Sequence, residues 1–107
     1  MKIQIGVTEY DLAKVPNQEI LKHYSVGEDE LLGGLCHSLM GRILINKEIP
    51  VQARQQTFWH EVVHAILDEL GLDKLNEDEG VVEALGKQLY GFFKYNKVDK
   101  IYKFLGE

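Results

Sequence analysis

The stretch Gln56-Thr57-Phe58-Trp59-His60-Glu61-Val62-Val63-His64-Ala65-Ile66-Leu67 decides how this chain is read. Phe58, Trp59, Val62, Val63, Ile66, Leu67 and Leu70 recur at helical spacing until Gly71, a natural terminator, and Pro50 suits the first turn upstream. The spacing predicts one long helix. His60 and His64 then share a face one turn apart, where both imidazoles can converge on a tetrahedral metal ion. Glu61 is rotated by about a hundred degrees around the same helix. Its carboxylate is therefore expected beside the metal position without ligating it, where it can act on a water.

Two imidazoles are an incomplete ligand set, and the sequence narrows the third donor. No histidine follows His64, so a downstream donor is a carboxylate. Leu70, six positions beyond His64, excludes a third ligand there. Asp68 lies a further turn along the helix, too far from His60 to share an ion with it. Leu72 to Leu75 reads as a short connection, and Asn76 as an N-cap with Glu77, Asp78 and Glu79 in the first turn of a second helix. Its apolar face, with Val81, Val82, Leu85, Leu89, Phe92 and Phe93, runs to about Tyr95. So short a link makes the two helices antiparallel neighbours. Level helix ends put Glu83 opposite the histidine pair, whereas the helical wheel puts Glu79 at the border of core and cleft and Glu83 nearer solvent. Glu79 is taken as the third ligand, with Glu83 as the alternative.

Upstream, the pattern changes to strands and turns. Lys2 to Val7 alternates, with Ile3, Ile5 and Val7 on one side, the period of a half-buried strand. Asp11 to Tyr24 is ambiguous; Pro16-Asn17 suits a helix start, with Ile20, Leu21 and Tyr24 forming a short apolar stripe that stops before Gly27. Gly33-Gly34 breaks the chain. Leu35 to Met40 and Gly41 to Asn46 look like strands, with Gly41 a bulge or turn between them. Val98 to Leu105 fits either a helical turn or a strand. The fold class expected is α+β, a three- or four-stranded sheet packed on the histidine-bearing helix, with the second helix antiparallel to it.

Composition bounds the rest. At 107 residues with 45% apolar content, residues 1–107 are expected to form one globular domain. A net charge of −5 argues against a nucleic-acid surface, which needs a clustered basic face. Lys87, Lys94, Lys97, Lys100 and Lys103 make a mildly basic tract whose plain reading is a solvated helix side. The single Cys36 makes no internal disulfide. Its neighbour His37 points to the opposite face of a strand, which argues against a cysteine hydrolase. No signal core or membrane-length apolar run is present, so a cytoplasmic location without membrane attachment is expected.

On His60-Glu61-Val62-Val63-His64 and the run Asp78-Glu79-Gly80-Val81-Val82, the chain resembles the gluzincin branch of HExxH metallopeptidases, in which a glutamate on the following helix completes a zinc site. Asp78 stands where Asn is usual. The layout over roughly residues 33 to 96 is similar to small phage and prophage zincin-like proteins of the ImmA/IrrE group. The resemblance implies a Zn2+ cofactor, Glu61 as general base, Glu83 as an acidic residue orienting a zinc histidine if Glu79 is the ligand, and a protein or peptide substrate. It also implies that the substrate lies extended beside an edge strand upstream of the helix, for which Leu39 to Asn46 is the segment available, the alternative being an ordinary internal strand. His37, Tyr24 and Tyr90 are candidates to stabilise an oxyanion, none of them assigned. The expected activity is a zinc metallopeptidase. The rival expectation is a zinc-binding, non-catalytic regulatory or interaction module.

Overall fold

Ile3 and Ile5, alternating with Lys2 and Gln4, form the first strand, β1 (Lys2–Ile5). In the computed structural model, which describes residues 1–24 and 31–106, β1 turns at Gly6-Val7 into an antiparallel partner, β2 (Thr8–Val15), with Ile5 opposite Thr8. Gly6 takes φ 58°, as the first position of a tight two-residue hairpin turn requires. Val7, expected on the strand's apolar side, is instead 90% exposed at the turn. β2 occupies the first part of the segment that the pattern leaves ambiguous. The expected short helix follows as α1 (Asn17–Leu21), with Pro16 at its N-cap position and Ile20 fully buried. Tyr24 lies beyond its end, and the expected stop before Gly27 falls outside the described residues.

The next strand, β3 (Gly34–His37), is shorter than expected, because Ser38–Met40 forms a 3-10 turn. Gly41, at φ 62°, closes that turn and starts β4 (Arg42–Asn46). The sheet order is β1-β2-β4-β3, with β2 and β4 parallel and the outer pairs antiparallel. Of the two readings of Leu39 to Asn46, the edge reading is corrected and the internal strand holds: β4 is internal, and β1 and β3 are the edges. Ile43, Leu44 and Ile45 are all buried, as suits a strand covered on both faces, and β4 is internal because it pairs with both β2 and β3.

The long helix is α2 (Val51–Glu69). Its Val62 and Ala65 pack on Ile5, Tyr10, Ile43 and Ile45 of the sheet, with Leu12, Cys36, Phe58 and Trp59 around them. Each large aliphatic side chain so buried contributes about 1.5–3 kcal/mol. After Gly71 come α3 (Asp73–Glu77), α4 (Glu79–Tyr95) and α5 (Val98–Leu105). Val63 and Leu67 of α2 bury Val82 and Leu89 of α4 on the side away from the sheet, and Trp59 stacks on Phe93 with ring centroids 4.8 Å apart. Asn76, expected as a cap, lies inside α3. The cap of α4 is Asp78, whose Oδ1 accepts from the Val81 N–H at 3.2 Å; Asp fills that place as well as Asn because either supplies the oxygen. The described residues thus form an α+β fold with a mixed four-stranded sheet and five α-helices, and none of these helices is long and apolar enough to cross a membrane.

Glu69, at the end of α2, clasps the first hairpin. Its carboxylate accepts from the Val7 N–H at 2.9 Å and the Thr8 hydroxyl at 2.8 Å, and these bonds hold it below the usual carboxylate range. A depressed folded pKa gives stability that is present above the unfolded value of about 4.3 and is lost as pH falls through the folded value. Glu69→Gln is therefore expected to flatten the acid limb of the stability curve in urea titrations. A wild-type advantage that stays constant into strong acid would contradict this.

Candidate metal centre

Because α2 presents His60 and His64 one turn apart, their ring centroids lie 5.0 Å apart at 71°. Both Nε2 atoms turn to the Glu79 carboxylate from the first turn of α4. His60 Nε2 is 3.2 Å from Glu79 Oε2, and His64 Nε2 is 3.0 Å from Oε1. One donor atom from each of the three residues lies within 4.8 Å of the others. Ligands about 2.0–2.1 Å from a tetrahedral zinc stand roughly 3.3 Å apart. The spacing and the donor types, two imidazoles and a carboxylate, fit one zinc ion.

Glu83 stands on the other side of the His60 ring, with Oε2 2.9 Å from Nδ1. The two carboxylates that the sequence leaves in competition thus take different nitrogens. Gly86 sets this level, because a Cβ there would meet His60 Cα and N at 3.1 Å. The α4 backbone approaches α2 closely at His60, and Glu83 and Glu79 follow one and two turns back towards the helix start.

His64 has an equivalent support that sequence reasoning missed. Asn76 Oδ1 on α3 lies 2.6 Å from His64 Nδ1. An Nδ1–H donating to Glu83 and to Asn76 leaves each Nε2 lone pair facing Glu79. The available signal was the pair Asn76 and Asp78, two cap-type residues before one helix, of which only one can cap it. Asn76→Ala and Glu83→Gln are each expected to weaken zinc binding by about 10–100-fold, measured by competition with a chromophoric chelator. Unchanged affinity in both variants would remove the supporting roles.

Glu61 is 6% exposed and outside the donor cluster. Burial, and after it the nearby Glu79 carboxylate, push its carboxyl up to about 8, while the backbone N–H of Cys36 on β3 pulls it partly back. It faces a cleft of about 410 Å³ between β3 and α4, bordered by Tyr24, Gly34, Thr57, Glu79 and Lys87. Among the oxyanion candidates, only Tyr24 borders this cleft. Its hydroxyl donates to the Gly34 carbonyl at 3.1 Å, and burial, with Glu61 and Glu79 nearby, raises its pKa. His37 accepts the Met40 N–H instead, and Tyr90 is not part of the cleft lining. Burial pushes the Cys36 thiol up to about 11, the opposite of what a thiolate nucleophile needs.

No protein-family model, curated protein or solved structure matches the chain. Function is therefore argued from the site itself.

Proposed function

We propose that the chain is a minimal zincin-like, zinc-dependent peptidase in which His60, His64 and Glu79 hold the ion and Glu61 is the general base. The observation that carries this reading is the separation of roles on two helices. Three donors converge within 4.8 Å, while Glu61, next in sequence to His60, faces the same cleft from outside the set. A purely structural zinc site closes with four protein ligands, whereas three leave a position open for reaction. The gluzincin and ImmA/IrrE resemblance points the same way.

Zinc bound there would supply a Lewis acid that lowers the pKa of a water and polarises a carbonyl oxygen. Glu61, held beside the donor set, would take the proton of the attacking water and pass it to the leaving amine. Glu83 and Asn76 hold the two rings in place. The open edge of β3 offers the substrate a backbone partner. Asn46 N–H donates to Gly33 O at 2.8 Å, so the alternating antiparallel pattern turns the N–H and C=O groups of Gly34 and Cys36 away from β4. The Gly34 C=O takes the Tyr24 hydroxyl and the Cys36 N–H the Glu61 carboxylate, which leaves the Gly34 N–H and the Cys36 C=O for a peptide. An extended peptide added to this edge would run beside Glu61. A cleft of about 410 Å³ bordered by β3, α2, α4 and Tyr24 suits exposed or unfolded segments of a protein partner.

Elemental analysis of the purified protein is expected to find about one zinc per chain. Cleavage across a panel of unfolded proteins is expected to stop on chelation and return with zinc. Retained zinc with no cleavage across the panel would transfer the reading to a zinc-binding interaction module. Absence of zinc binding would remove the premise of both.

A further inference from the structure

One flank of α4, beside the side that packs on α2, carries a second apolar seam. Val82, Gly86 and Phe93 meet α2, whereas Val81, Leu85, Gln88, Phe92 and Tyr95 follow one another at spacings of four, three, four and three residues. That is the repeat of a coiled-coil seam. Leu85, Phe92 and Tyr95 are 45%, 48% and 77% exposed. Beside them, a Cβ at Gly91 would meet nothing within 4 Å, so this mid-helix glycine, unfavourable for the helix, answers no packing need within the described residues.

Charge is divided between the two ends of this helix. Lys94, Lys97, Lys100 and Lys103 against Asp99 and Glu107 give residues 92–107 a net +2, and residues 1–91 carry −7, which together make the chain's −5. Asp73, Glu77 and Asp78 lie at the acidic end, among the exposed Leu72 and Leu75. At the basic end, α5 is not packed closely on any other element among the described residues. It exposes Tyr102 and Leu105.

We propose that this face is the interface of a symmetric homodimer, in which α4 packs antiparallel on α4 of a second copy. An antiparallel pair places the basic end of each copy on the acidic end of the other, whereas a parallel pair would stack like charges. The arrangement is self-complementary, as a two-fold interface must be. Gln88, at the middle of the seam, meets Gln88 of the second copy on the axis, where two amides can pair and fix the register. Leu85 then faces Phe92 of the other copy, and each α5 reaches the exposed leucines of the opposite α3. The body's negative charge disfavours an anionic membrane as the occupant. The inference is independent of the zinc reading.

Sedimentation of the purified full chain tests it without any activity assay. The expected mass is twice 12.3 kDa. Leu85→Lys and Phe92→Lys are each expected to raise the dimer dissociation constant by about a hundredfold or more, since symmetry places every change in the interface twice. Both positions are exposed, and thermal melting checks that the variants fold. Gln88→Cys in a Cys36→Ser background is expected to cross-link as a dimer under mild oxidation, because only residues near the axis come within disulfide reach of their own copies. Glu77→Cys in the same background is expected to stay uncross-linked. A wild-type monomer at all concentrations, a dimer indifferent to both lysine substitutions, no cross-link at position 88, or a monomer that instead binds anionic vesicles would each overturn the proposal.

Discussion

Glu61→Gln is expected to lower peptide hydrolysis by about two to four orders of magnitude, the worth of a positioned general base, while zinc content stays near wild type. The amide keeps the size of the side chain and an oxygen for the Cys36 N–H, but cannot take a proton from water. It touches none of the three donors. Stability is not expected to suffer, because a neutral amide replaces a carboxyl that burial already disfavours in its charged form. Chelator-controlled assays of wild type and variant, with metal content measured on the same samples, check this outcome. Equal rates in the two proteins would end the assignment of Glu61 as base.

Glu79→Gln is expected to act on the metal first. The amide oxygen carries no charge and is a poorer zinc donor, and Glu79 is the residue that meets both Nε2 atoms. Zinc affinity should fall by more than the roughly 10–100-fold attached to supporting partners, with hydrolysis lost in parallel at limiting zinc. Glu83→Gln serves as the internal comparison. It shifts only the group holding the outer nitrogen of His60, so its loss should stay within that range. Competition titration of both variants decides the matter. Zinc loss in Glu83→Gln without loss in Glu79→Gln would exchange the two roles.

The sequence made some of this arrangement readable and hid the rest for physical reasons. α2 was legible because its apolar period runs from Phe58 to Leu70, more than three turns, and that period places His60, Glu61 and His64 without knowledge of any other element. α4 was legible through Val82, Leu85, Leu89 and Phe93, although its first residue was not. Asn76 and Asp78 are both good caps, and only the fold shows that Asp78 caps α4 while Asn76 turns to His64. β2 was missed because its residues alternate poorly. Its strand state is set by partners on both sides, β1 and β4, that lie far apart in sequence. The same non-local pairing made β4 internal and left β3 as an edge, a placement that local pattern cannot supply. The contest between Glu79 and Glu83 had a similar cause. Helix register and helix rotation gave opposite answers, and the close approach at Gly86 determines how the two combine.

The most direct test of the central claim is the anomalous diffraction of crystals grown with zinc, recorded on both sides of the zinc absorption edge. One peak is expected within about 2.0–2.2 Å of His60 Nε2, His64 Nε2 and a Glu79 oxygen, with Glu61 near the ion and not bonded to it. A peak ligated by Glu61, a peak that takes Glu83 in place of Glu79, or no peak between α2 and α4 would contradict the account.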